Sequence, residues 1–87
     1  MANYTITIKA SARRELERLD DSVLTRVVSK IESLAGNPRP SGCKKLRRFQ
    51  NQWRVRVGDY RVVYAIDDSR RIVDVNRIRH RRDVYDF

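Results

Sequence analysis

Apolar and polar residues alternate along Tyr4-Thr5-Ile6-Thr7-Ile8-Lys9. This predicts a first strand with Tyr4, Ile6 and Ile8 on its core face. The period then changes to that of a helix. Ser11 is a predicted N-cap for a short helix over residues 12–19, whose apolar stripe is Ala12, Leu16 and Leu19. Asp20-Asp21-Ser22 breaks it and offers capping groups and negative charge to a second helix running to Ala35. Leu24, Val27, Val28, Ile31, Leu34 and Ala35 make its buried face. Gly36 suits the C′ position and Pro38 prevents continuation. The two helices are close enough in sequence to form an antiparallel hairpin.

Residues 36–42, GNPRPSG, read as a loop. The basic stretch 43–49, CKKLRRF, has apolar residues that can anchor it to a sheet edge. The clearest pattern follows at residues 53–64, WRVRVGDYRVVY. It predicts a β-hairpin with strands 53–57 and 60–66 and Gly58-Asp59 as a two-residue type II′ turn. In that register Val57 faces Tyr60, Arg56 faces Arg61, Val55 faces Val62 and Arg54 faces Val63. Residues 72–78 form a further strand after a turn at Asp67-Asp68-Ser69. A turn centred on Asp68-Ser69 brings Val73 and Val75 to the face of Tyr64 and Val62.

The predicted architecture is α+β: an N-terminal strand, then a two-helix hairpin packed on one face of a mainly antiparallel sheet of about four strands. Trp53, Val55, Val57, Tyr60, Val62 and Tyr64 point to the helices. Arg54, Arg56 and Arg61 occupy the other, uncovered face.

The 87 residues suffice for one domain, spanning 1–87. Cys43 is the only cysteine, so no internal disulfide forms, as expected of a reducing compartment. The longest apolar runs are too short to span a membrane, and the N-terminus lacks the blocks of a secretion signal. A cytoplasmic protein with no membrane partner is expected. The formal charge of +9 is uneven. Residues 1–43 carry seven Lys/Arg and five Asp/Glu, a net of +2; residues 44–87 carry thirteen and six, a net of +7. Such concentrated charge points to a polyanionic partner.

Arg56 opposite Arg61 breaks a local rule, since like charges across a strand pair destabilise a sheet. An anion between the guanidiniums turns the repulsion into attraction, and the planar fork of arginine suits phosphate oxygens. The plain alternative is the solvated half of an alternating strand. A metal site is not expected, because one His and one Cys make no ligand cluster. No phosphate-binding glycine loop or nucleophile elbow is present, and no cofactor is expected. RNA cleavage needs no metal: the 2′-hydroxyl attacks the adjacent phosphate, given a base, an acid and cations. His80 is a candidate acid or base, and equally a surface residue of a basic tail. Tyr85 reads either as a functional ring or as an apolar anchor beside Val84 and Phe87. As a base it needs surrounding cations to lower its pKa.

The segment WRVRVGDYRVVYAI, the strand after it and the ending IRHRRDVY resemble the RelE toxins of bacterial toxin–antitoxin pairs, within the RelE/ParE superfamily. The resemblance spans the strand–helix–helix start, the basic KLRR segment, the hairpin and the HR-x-x-VY end. It implies a RelE-like fold and a ribosome-dependent, metal-independent endonuclease that cuts messenger RNA in the ribosomal A site. Its implied partners are the ribosome, a small RelB-like antitoxin, and operator DNA only through the antitoxin complex. A ParE-like gyrase inhibitor and a non-catalytic RNA- or DNA-binding module are the alternatives. By motif, Arg54 and Arg56 match the two basic residues before the turn, and Arg61 the arginine after it. Tyr85 matches the near-terminal tyrosine, stacking on a base or acting as a base. Arg81 best fits the C-terminal site arginine; Arg79 fits on an alternative count. Lys44, Lys45, Arg47, Arg79 and His80 are expected to add RNA contacts.

Overall fold

A single residue, Lys9, separates the first strand, β1 (Thr5–Ile8), from helix α1 (Ala10–Glu17). A computed structural model describes residues 3–47 and 51–83. Helix α2 (Asp21–Ser33) follows, then β2 (Lys44–Lys45), β3 (Gln52–Val57), β4 (Tyr60–Asp67), β5 (Ile72–His80) and a 3-10 turn at Arg81–Asp83. The strands form one sheet in the order β1-β5-β4-β3-β2. β1 runs parallel to β5, and the other pairs are antiparallel. The α+β architecture matches the expectation, with five strands rather than four. The extra one is Lys44–Lys45, so the basic stretch is indeed pinned to the sheet edge.

The core lies between the helices and one face of the sheet. Ala12, Leu16, Val27, Ile31 and Leu34 pack on Val55, Val57, Val62, Tyr64, Ile66, Val73, Val75 and Ile78. Each fully buried Val, Leu or Ile contributes about 1.5–3 kcal/mol relative to exposure. Leu24, Val28 and Ala35 are half-buried, flanking the stripe of α2 instead of forming its centre.

The helix ends differ from the sequence reading. Ser11 lies inside α1, whose N-cap position is Lys9. The Lys9 N–H ends the ladder by donating to the Val75 carbonyl, and the Lys9 carbonyl opens the helix by accepting from Arg13. Ser11 donates its hydroxyl to the Asn76 carbonyl at 3.0 Å. Asp20 holds the N-cap position of α2 without a side-chain capping bond. Leu34 is the C-cap, so Gly36 lies one residue beyond C′. The Ala35 and Gly36 N–H groups close the end with bonds back to the Glu32 and Ser33 carbonyls, and Gly36 adopts no positive φ.

The β3–β4 register agrees with the sequence pair by pair. The β4–β5 register does not. A four-residue turn pairs Asp67 with Ile72, so Tyr64 faces Val75, and Val62 faces Ile78 across a β-bulge. Val73 and Val75 still share the core face, because the shift before the bulge is an even number of residues.

The loop after α2 is held at the far end of the sheet. Arg39 makes two hydrogen bonds to Asp68, at 2.9 and 3.2 Å, and its guanidinium lies 5.0 Å from the Trp53 ring centroid. Tyr4 donates to the same carboxylate at 2.6 Å. The Arg39 bonds first and the Tyr4 bond second pull the Asp68 pKa down to about 2. The unfolded chain protonates this group near pH ~3.9. Its contribution to stability is therefore complete above about pH 4 and lost as pH falls towards 2. Urea midpoints measured across that window should fall more steeply for the wild type than for Asp68→Asn. Parallel profiles would show that the cluster contributes nothing.

Candidate nucleic-acid interface

Gly58 opens the β3–β4 turn at φ +58, while Asp59 is not in the positive-φ region. That combination is the type II′ turn expected of Gly-Asp. The tight turn fixes the register beside it. Arg56 faces Arg61, and Arg61 faces Arg79 on β5, so three arginines line up across three strands. The row exists because of the bulge. Val63 pairs with Arg77 and Tyr64 with Val75, leaving Asn76 as the extra residue. Uninterrupted alternation from Val73 and Val75 would turn Arg77 and Arg79 towards the helices. The inserted residue returns them to the open face and puts Ile78 in the core.

This face has an apolar floor. Val63 is only 4% exposed, and its register neighbours are Arg54 and Arg77. By alternation Leu46, also buried, belongs to the same side. Long arginine side chains can cover such a floor with their stems while their heads stay solvated.

At the tip of the hairpin the arginines surround a cleft of about 150 Å³ lined by Arg56, Gly58, Asp59, Arg61 and Arg81. Arg81 is tied to the turn by its backbone N–H, which donates to the Asp59 carbonyl at 2.7 Å. Its side-chain Nε lies 4.0 Å from the Asp59 carboxylate, an exposed and weak pairing. Arg61 is the innermost cation. Burial lowers its pKa from the ordinary arginine value, and repulsion from Arg54, Arg56 and Arg81 lowers it further. Arginine nevertheless stays charged at neutral pH. Its Nε is buried and has no hydrogen-bond partner among the described residues. A half-buried, incompletely bonded cation among three others is a ready receptor for an anion.

A carboxylate guards the β5 end of the row. Beyond Ile8, β1 no longer covers the edge of β5, and α1 takes over. Glu15 accepts a hydrogen bond from the Ile78 N–H at 2.8 Å. Its second oxygen lies 3.9 Å from Arg77 Nη1 and from Arg79 Nε. At that separation the contacts are electrostatic only, and Arg79 Nε has no hydrogen-bond partner among the described residues.

The expected site residues divide accordingly. Arg56, Arg61 and Arg81 meet at the cleft, with Arg54 beside them in the field acting on Arg61. Arg79 shares the face, set towards Glu15. Lys44 pairs with Arg54 and lies on the same side, whereas Lys45 pairs with Trp53 and lies on the other. Arg47 is exposed just past β2. His80 is apart from the cleft: it pairs with Tyr60 on the helix side, and the rings meet edge-on at 5.1 Å. Tyr85 lies outside the described residues. Sequence reasoning missed Arg77 and Glu15. The signal for Arg77 was present, since apolar residues at 73, 75 and then 78 mark a break in alternation. Nothing in the sequence pairs Glu15 with a position 63 residues away.

Among the described residues no group of three His, Cys, Asp or Glu side chains comes together as a metal site. Fold and face define a small α+β domain that presents a cationic cleft at the tip of its central hairpin. A family model described as the ParE toxin of type II toxin–antitoxin systems matches residues 6–85. The chain is 34% identical over 83 residues to toxin RelG of Mycobacterium tuberculosis, covering 94% of this chain and 95% of that protein. It is 35% identical over 83 residues to toxin RelE of the same organism, covering 94% and 86%. A crystal structure of the toxin–antitoxin complex RelBE2 from that organism superposes with a TM-score of 0.81 at 33% identity, over 91% of this chain and 99% of that one. The archaeal RelE–RelB complex from Pyrococcus horikoshii gives 0.82 at 22% identity, over 94% and 99%, and bears on the fold alone. The chain belongs to the RelE/ParE family of toxins of type II toxin–antitoxin systems.

Proposed function

We propose that this chain is a ribosome-dependent messenger-RNA endonuclease whose partner is a RelB-like antitoxin. The observation that carries the reading is the cleft of Arg56, Arg61 and Arg81, with Arg54 close by. In the proposed reaction the substrate's 2′-hydroxyl loses its proton and attacks the adjacent phosphorus. The bond to the 5′-oxygen of the next nucleotide breaks, and that oxygen takes up a proton. The products are a 2′,3′-cyclic phosphate and a 5′-hydroxyl. Negative charge grows on the phosphoryl oxygens along the way, and three or four guanidiniums stabilise it without a metal. Tyr85 is the proposed base or stacking ring. The arginines bind charge but do not move protons, so positioning by the ribosome supplies much of the rate. Lys44, Arg47 and Arg79 extend the basic track on which the messenger or an acidic antitoxin segment would lie. Operator DNA is expected only through the antitoxin complex.

A gyrase-directed toxin, the activity that a ParE resemblance implies, is the second reading, since the matching family model is described as a ParE toxin. Two assays of the purified chain separate the readings. A translation extract charged with preformed messenger should stop, while gyrase supercoiling continues. Inhibited supercoiling with undisturbed translation would reverse the assignment.

A further inference from the structure

Helix α2 brings a further guanidinium to the tip of the hairpin. Val27 and Ile31 are buried in the core and fix the rotation of the helix. Their neighbour Arg26 is exposed and reaches over the β3–β4 turn. A Cβ on Gly58 would lie 2.7 Å from Arg26 Nη2 and 3.6 Å from its Cζ. The guanidinium therefore rests against the bare α-carbon of a residue that lines the cleft. Any side chain at position 58 would displace it, so Gly58 supplies both the positive φ and the approach.

The placement has no internal electrostatic reason. Among the residues whose side chains are described, which leaves out Asp83, no carboxylate lies within salt-bridge distance of Arg26. The acid next in sequence to Gly58, Asp59, is paired with Arg81 instead. Bringing another cation to a cleft that already holds three adds repulsion. Glu15 relieves the far end of the row; at the tip the carboxylate that lines the cleft, Asp59, faces Arg81 at 4.0 Å and leaves Arg26 outside that pairing.

We propose that Arg26 is a phosphate-contacting residue that carries the cationic track out of the cleft, over the hairpin tip and onto α2. Its ligand is the backbone of single-stranded RNA one or more nucleotides away from the phosphate held by Arg61. The strand thus bends around the tip instead of lying flat along the open face. Arg26 binds and positions; it takes no part in the bond-breaking step. The proposal rests on the reading of the cleft as an RNA site.

The test is a titration of the intact chain with a labelled 2′-O-methyl RNA oligonucleotide, which cannot be cleaved, over a range of salt. Wild type, Arg26→Ala, Arg26→Lys and Arg61→Ala are compared. Losing one contact to a single strand lowers the slope of log affinity against log salt by about 0.7, or roughly fourfold in affinity near ~0.15 M salt. Arg26→Ala should show that loss with an unchanged thermal midpoint, and Arg26→Lys should keep the wild-type slope. A merely structural role would leave the slope alone. An unchanged slope in Arg26→Ala, with a reduced one in Arg61→Ala, overturns the proposal and leaves the cleft assignment standing. No change in either variant, or no binding by the wild type, overturns both.

Discussion

Arg61→Ala is expected to lower messenger cleavage in programmed ribosomes by about 10²–10³-fold, the usual loss when one preorganised donor to a developing anion is removed. The folded state should not suffer. Among the described residues Arg61 Nε has no hydrogen-bond partner, and Arg54, Arg56 and Arg81 repel the guanidinium, so truncation removes a buried donor without such a partner and a source of repulsion together. The thermal midpoint should stay level or rise. Arg61→Lys should restore only part of the activity, because a point charge replaces a planar fork. Single-turnover rates and thermal melts on the same preparations check both halves. Full activity in Arg61→Ala would remove this residue from the site. Lost activity with a lowered midpoint would make its role structural.

The largest effect on stability is expected at Tyr64. Its side chain is fully buried at the centre of the core, and its hydroxyl donates to the Pro38 carbonyl at 2.7 Å. Burial holds the phenol neutral by pushing its pKa well above the ordinary tyrosine value. Tyr64→Ala should cost about 3–5 kcal/mol, as for other buried aromatic side chains. Stabilities of whole domains run from about 5 to 15 kcal/mol, so this variant approaches unfolding at moderate temperature. Tyr64→Phe keeps the ring and strands the Pro38 carbonyl, for about 1–3 kcal/mol. Chemical denaturation of the three proteins gives the order directly. Equal stability of Tyr64→Phe and wild type would mean that the loop from residue 36 to 42 is held by Arg39 and Asp68 alone.

The central hairpin was legible because two local signals agree there: a strict two-residue period and a Gly-Asp turn that admits one register. Every β3–β4 pair follows from them. The first strand and both helices were legible from their apolar spacing, but their ends were not. The N-cap of α1 is set by a ladder bond from Lys9 to Val75, a partner 66 residues away that no local pattern reveals. The β4–β5 register depends on a four-residue turn and on one inserted residue, Asn76. Alternation with a bulge looks like two strands out of phase until the partner strand is known. The site was half legible for the same reason. Arg54, Arg56 and Arg61 follow from the hairpin alone. Arg77, Glu15 and Arg26 join the basic face, its edge and its tip through tertiary placement. His80 and Lys45, basic by composition, fall on the side away from the cleft because pairing with Tyr60 and Trp53 decides their direction.

The most direct test of the central claim is to map the 5′ ends produced when the purified chain meets one defined messenger, free and programmed into ribosomes with an empty A site. Cuts confined to the A-site codon of programmed ribosomes, insensitive to chelator and leaving 5′-hydroxyl ends, are the predicted result. Intact messenger in both reactions, from protein shown to be folded, would contradict it.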